Sequence, residues 1–288
     1  MFTQHDGDGK GVDCNEVLVL TSRRNKLFLI CTFIVTWTSW WLLAYFTQES
    51  IFDFQSIPAF GLFILGGSAP TVAAYLAVYF TQEEGTVKEF NSRVFKYKVG
   101  VTYYGYALFV PPILGLIGMA FASIFGHDLQ FEASFDLLMV FIPSFFIAIL
   151  LGGLEELGWR GVLQPALTTK YNLLVSNFII GLMWSLWHLP LFYIVGTVQS
   201  ETSFLLFSIN AIGFSSFLTW LYFKKKSILL CVLLHASLNA TGMTGLSAPL
   251  EDSTLFLYHA LIVFGLGTAL MVYESMKSND DLSKDDII

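Results

Sequence analysis

The chain has 288 residues, 55% of them hydrophobic and only 13% charged, with a mean hydropathy of +0.65. A soluble domain carries about half apolar and about a quarter charged residues, so this composition excludes an ordinary soluble globular protein. The formal charge of −7 sits largely in the tails and links, so it names no partner, and nothing in it suggests nucleic-acid binding.

The apolar residues come in long runs rather than the short alternating segments of a β-barrel, so the fold class is an all-α polytopic membrane protein. A polar leader covers about residues 1–26, and the first apolar run starts at Leu27, directly after Lys26. That run is about 20 residues long, against roughly 7–15 for a signal-peptide core, and no A-x-A site follows it, so it reads as a retained helix. A bilayer core takes about 20 apolar residues per helix. Eight spans are predicted, at about 27–46, 58–80, 99–125, 135–153, 173–195, 203–223, 227–246 and 254–274. The segment 81–98 reads as a short amphipathic surface helix, and the acidic tail 277–288 as disordered chain. The eight-helix membrane domain thus covers about 27–276, with no separate soluble domain.

Lysine and arginine test this topology. All 15 lie in the leader, after spans two, four and six, or in the tail, and the alternate links at about 47–57, 126–134, 196–202 and 247–253 have none. The pattern implies an integral protein of the cytoplasmic (inner) membrane with both termini cytoplasmic. Cys14, Cys31 and Cys231 are odd in number and far apart, so they form neither a disulfide framework nor a CxxC metal pattern.

Ionisable residues inside spans are functional candidates, because burying them is costly. They concentrate in GGLEELGWRG at 152–161, in GLMWSLWHLP ending at Pro190, and in LLHASLNATG around His235. Glu156 and Arg160 are i,i+4 and can pair on one helix face. Glu155 points about 100° away, lacks that partner and is available as a general base. His235 and Asn239 are also i,i+4, and could orient a water or donate to an oxyanion. His188, from another helix, completes the cluster only if spans four, five and seven pack together, and Gly152, Gly153, Gly158 and Gly161 would permit that approach. Structural readings compete: an ion pair at the membrane edge for Glu156–Arg160, interhelical glue for Asn239, packing aromatics for Trp184 and Trp187, and packing or interfacial histidine for His259. Depth sets a further condition. Counted from the cytoplasmic ends of their spans, His235 lies about 12 Å in and His188 about 22 Å, so span five must start tilted or with its first turns in the interface.

Taken together, the motifs Glu155-Glu156-x-x-x-Arg160, Trp184-x-x-x-His188 and His235-x-x-x-Asn239 resemble those of the CPBP family, which includes type II CAAX prenyl endopeptidases and bacterial Abi-like relatives. The order and spacing agree, with Trp184 where the family usually has Phe, and GGSAPTVAAYLA at 66–77 is similar to a small-residue stretch of bacterial members. The motif core covers about 135–245. The resemblance implies the eight-helix intramembrane protease fold and peptide-bond hydrolysis. It makes Glu155 the base that activates water, supported by Glu156 and Arg160. His188 would hold the water, and His235 with Asn239 would stabilise the oxyanion, with the two histidines open to exchange. The implied substrate is a peptide or protein that is prenylated, membrane-embedded or a leader peptide. No obligatory cofactor is expected. Zinc stays an open alternative, because two His and a Glu could bind it, although no HExxH helix occurs. A proton-coupled transporter and a noncatalytic immunity or scaffold protein are the competing functions; a single cluster favours chemistry at one site over transport.

Overall fold

The protein is described by a computed structural model over residues 22–82, 85–127, 135–245 and 252–285. The leader up to residue 21, residues 83–84, the links 128–134 and 246–251, and the last three residues lie outside the described residues. The chain begins with α1 (Arg23–Gln48), α2 (Ile57–Phe80), α3 (Val87–Val94), α4 (Val101–Ile124) and α5 (Phe135–Leu151). A broken helical stretch follows: a 3-10 turn at Gly153–Glu155, α6 (Glu156–Gly158), a π-helical turn at Trp159–Leu163, and α7 (Gln164–Thr168). After it come α8 (Leu173–Trp187), two 3-10 turns at Leu189–Tyr193 and Val198–Glu201, α9 (Phe204–Lys225), α10 (Ile228–Met243) and α11 (Ser253–Asp285). Among the described residues there is no strand.

Seven of these helical stretches are long and apolar enough to cross a membrane, with Asp136–Thr168 counted as one. The remaining predicted span, the seventh at about 227–246, is α10, which has only 16 residues. At 1.5 Å per residue it is about 24 Å long, short of a hydrocarbon core of about 30 Å. It is tolerated because protein rather than lipid surrounds it. α10 packs against α4, α5 and α9, and most of its residues are buried. The outer helices show the opposite pattern: Ile34, Leu65, Phe109, Phe146 and Leu150 are exposed, as a lipid-facing surface requires.

Polar side chains begin the helices. Ser56, Asn172, Ser203 and Ser227 accept hydrogen bonds from the first turns of α2, α8, α9 and α10. Two prolines inside spans also have their consequences met. Pro70 has no N–H, which frees the Gly66 carbonyl four residues back, and Thr36 Oγ1 donates to it at 2.7 Å. Pro112 frees the Leu108 carbonyl in the same way, and Ser237 Oγ of α10 donates to it at 2.7 Å. Each freed carbonyl is therefore tied to a neighbouring helix.

The amphipathic surface helix is present as α3. Its capping box joins Thr86 and Glu89, and it buries Phe90 and Val94. The Thr86 backbone N–H donates to Glu89 at 2.7 Å and is the main cause holding that carboxyl below its ordinary range. The tail departs from the sequence expectation: α11 runs on as helix to Asp285. Extending an existing helix needs no new nucleus, so polar residues can follow it out of the apolar run.

Candidate active site

The site is built where α5 stops. The Gly152 N–H still bonds to the Ala148 carbonyl at 3.0 Å, and the 3-10 turn then closes with the Glu155 N–H on the Gly152 carbonyl at 3.0 Å. The break frees carbonyl groups that a continuous helix would pair. Thr71 Oγ1 of α2 donates to one of them, the Leu154 carbonyl, at 2.8 Å. The small-residue stretch 66–77 thus lies against the motif it precedes in sequence.

The glycines make this approach physical. A Cβ on Gly153 would lie 2.8 Å from the Val232 carbonyl oxygen of α10, and one on Gly161 would lie 2.8 Å from Phe90 of α3. A Cβ on Gly158 would overlap the Phe28 ring of α1 and come within 2.9 Å of the Pro70 carbonyl oxygen. Backbone and aromatic rings of neighbouring helices occupy the space that side chains would need, as expected of small residues at a tight helix junction.

The two adjacent glutamates diverge as helical spacing predicted. Glu156 turns inward, is fully buried, and meets Arg160 as an ion pair at 3.0 Å, although the backbone between them widens into the π-helical turn. This contact satisfies the ion-pair distance but not hydrogen-bond geometry, and Arg160 Nε has no partner among the described residues. Arg160 is anchored from α9 instead, where its Nη2 donates to Ser215 Oγ at 2.8 Å. Both groups are fully buried inside the protein.

Glu156 has a second partner that spacing does not reveal: His235 Nδ1 lies 2.7 Å from its other oxygen. A carboxylate only accepts, so Nδ1 carries the hydrogen, and the Nε2 side is the one nearer Gly152. His188 is fixed in a similar way, with Nδ1 2.8 Å from the Trp184 carbonyl oxygen. A carbonyl also only accepts, so Nδ1 donates there, and Nε2 of the neutral ring is an acceptor.

Trp184 corrects the sequence reading. It is not only a packing aromatic, because its Nε1–H donates to Glu155 Oε2 at 2.9 Å. The indole also lies edge-on to His188 and to His235, each with ring centroids 5.3 Å apart. One side chain therefore touches all three of the motifs' ionisable groups nearest the cavity. Trp187 does pack, against Trp40 and Trp159, but it also donates to Thr36 Oγ1 at 2.7 Å. Thr36 passes a hydrogen bond on to the Gly66 carbonyl, so the end of α8 is fastened to the α1–α2 pair.

Glu155, His188, His235 and Asn239 line one cavity of about 500 Å³, together with Trp184. Glu156 and Arg160 stand behind its wall. α8 supplies His188 from its C-terminal end and α10 supplies His235 from its middle, and the two meet on this cavity. Of the two sequence readings of His259, packing or interfacial, burial agrees with the first, and the residue also lines the same cavity. Among the described residues, no group of three or more His, Cys, Asp or Glu side chains is arranged to hold a metal ion. Nδ1 of His188 and Nδ1 of His235 are already engaged by protein.

A family model, "Type II CAAX prenyl endopeptidase Rce1-like", matches residues 134–241, the stretch that holds all three motifs. A curated protein of Methanococcus maripaludis, CAAX prenyl protease 2, is 27% identical over 257 residues, covering 83% of this chain and 92% of the relative.

Proposed function

We propose that this chain, an integral membrane protein of the CPBP, or type II CAAX protease, family, is an intramembrane endopeptidase that cuts its substrate with a glutamate-activated water. The observation that supports this reading is the meeting of Glu155, His188, His235 and Asn239 on one cavity, with Glu156 and Arg160 behind. One cluster on one cavity suits hydrolysis better than a relay of ionisable groups spread across a membrane.

In the proposed reaction, Trp184 fixes Oε2 of Glu155, and the carboxylate takes a proton from a water lying between Glu155 and His188. The acceptor Nε2 of His188 orients the second hydrogen of that water. The water oxygen attacks the peptide carbonyl carbon, forming a C–O bond, and negative charge moves to the carbonyl oxygen. The Asn239 amide donates to that oxygen, as does His235 when Nε2 carries a hydrogen. Such an imidazolium has its counter-charge in Glu156, 2.7 Å from Nδ1. Glu155 then returns its proton to the departing nitrogen as the C–N bond breaks, so no atom is left unaccounted for. Arg160 balances Glu156 without touching the substrate and is a positioning residue.

The cavity wall carries Trp40, Phe63, Phe207, Phe214 and Leu238, which suits an apolar or lipid-modified peptide. The relative's name supplies the class to try first, a prenylated peptide bearing a CAAX end. One-sided lysine and arginine support cytoplasmic termini, and so delivery of the substrate from that side. The test is cleavage of prenylated and unprenylated peptides by purified protein in detergent, compared with Glu155→Gln. Glu155→Gln is expected to lose at least about 100-fold in kcat, the scale of a general base. Equal turnover by the two proteins would remove Glu155 from the reaction.

A further inference from the structure

The lysines and arginines share one side of the membrane, but packing gathers some of them into a cluster that their spacing does not show. Lys224 is neutralised: its ammonium lies 2.7 Å from Glu274, which also accepts from Trp220 Nε1 at 2.9 Å. Four neighbouring cations have no such partner. Arg93 of α3 donates through Nη1 to the Tyr222 hydroxyl at 2.6 Å, and Lys226 holds its ammonium 5.4 Å from the centroid of the same ring. Lys96, in the link from α3 to α4, donates through Nζ to the Lys225 carbonyl at 2.9 Å. Lys225 sets its own ammonium 4.2 Å from the Tyr103 ring centroid of α4. Arg93 and Lys96 thus meet the end of α9 across 129 residues of sequence. Among the described residues, none of the four forms an ion pair. Glu89 feels the Arg93 charge but keeps its carboxyl on the Thr86 N–H at 2.7 Å.

The backbone under these cations is fixed. α9 ends with Lys226 in the left-handed conformation, φ 49°, its N–H on the Tyr222 carbonyl at 2.7 Å. Ser227 Oγ then donates to the Lys96 carbonyl at 2.7 Å, which ties the turn to the α3–α4 link. Like charges gathered in this way repel one another. Partial burial, and then the Arg93 charge, push the Lys226 ammonium below its ordinary range. A phosphate received among them would relieve the repulsion, and a guanidinium fork with ammonium groups is the donor set that phosphate oxygens accept from. Beside the cations, Phe95, Tyr97 and Val101 are exposed. Charge edged by exposed aromatic and apolar side chains, at the ends of membrane-crossing helices, matches the level of lipid headgroups. A soluble anion would use the charges but leave the apolar edge in water.

We propose that Arg93, Lys96, Lys225 and Lys226 form a binding site for the phosphate of an anionic lipid in the adjacent leaflet. Phe95, Tyr97 and Val101 enter the headgroup region beside it, and Tyr222 and Tyr103 hold the cations in place. The proposal stands apart from the endopeptidase reading, since none of these residues lines the cavity.

The test titrates the full chain, purified in neutral detergent, with phosphatidylglycerol and with phosphatidylcholine of equal chain length, and counts bound lipid by native mass spectrometry. A basic residue near an anionic lipid surface contributes about fivefold, so at low salt phosphatidylglycerol is expected to bind at least about tenfold more tightly. Arg93→Gln combined with Lys226→Gln is expected to remove most of that preference. Lys170→Gln combined with Lys277→Gln deletes the same charge outside the cluster and is expected to keep the preference within about twofold. If the first pair lacks a native melting curve, Lys96→Gln combined with Lys225→Gln decides in its place. Equal affinity of the native chain for the two lipids, or equal loss in the cluster pair and the control pair, would overturn the site. Displacement of the bound lipid by inorganic phosphate or by a soluble acidic peptide at matched concentration would overturn the assignment to a lipid.

Discussion

The Glu156–Arg160 pair allows stability and chemistry to be separated. Both side chains are fully buried and 3.0 Å apart. At an effective dielectric near 20, two unit charges at that separation attract by about 5–6 kcal/mol. Their joint desolvation offsets much of this, but removing one partner alone leaves a buried charge uncompensated, which typically costs about 3–5 kcal/mol. Arg160→Met keeps an aliphatic stem and removes the guanidinium, including its 2.8 Å bond to Ser215. Glu156→Gln keeps the shape and removes the charge that faces both Arg160 and His235. Each single change is expected to destabilise the protein by about 3 kcal/mol or more, and the double variant by about 1.5–3 kcal/mol less than their sum. The cycle is read by SDS-induced unfolding in mixed micelles, followed by tryptophan fluorescence. Cleavage is measured on the same four proteins. The double variant should lose less stability than the sum of the two single changes but recover no activity, because His235 has lost the carboxylate at its Nδ1. Additivity within about 0.5 kcal/mol would refute the coupling, and an active double variant would refute the anchoring of His235 by Glu156.

Three further outcomes follow from the geometry. Trp184→Phe keeps an aromatic ring but deletes the 2.9 Å donor to Glu155; a hydrogen bond to a charged group contributes about 1.5–3 kcal/mol, so kcat should fall at least about tenfold with KM little changed. Activity within twofold of native in a steady-state assay would show that the indole bond has no part in the chemistry. Gly152→Ala introduces a Cβ that would overlap the Asn239 amide and lie 3.3 Å from His235 Nε2, so kcat/KM should drop more than tenfold at a stability cost of about 1–3 kcal/mol. Native activity together with a native melting curve would show that these groups need not hold their places. Stripping metal with a strong chelator, verified by metal analysis, should leave cleavage unchanged; loss of activity restored by zinc would replace the glutamate-only reaction.

Much of this protein was legible because the membrane enforces a simple grammar. A run of about 20 apolar residues must become a helix when no water can satisfy its backbone, and charges there must be paired or used. Seven of the eight spans, the Glu156–Arg160 pairing, the turn of Glu155 away from that pair and the need for glycine at 152–161 were readable from local spacing. Contacts between helices follow no such period. The hydrogen bond from Trp184 to Glu155, the closing of His235 on Glu156 and the placement of His259 on the cavity each join residues far apart in the chain. The prolines gave a partial signal, since each announced a freed carbonyl, but only packing showed Thr36 and Ser237 as the donors that fill the vacancies. Sequence alone determined which groups had to find partners, because the cost of burying them is local. Tertiary structure decided which partners they found, because that depends on how helices stagger and cross.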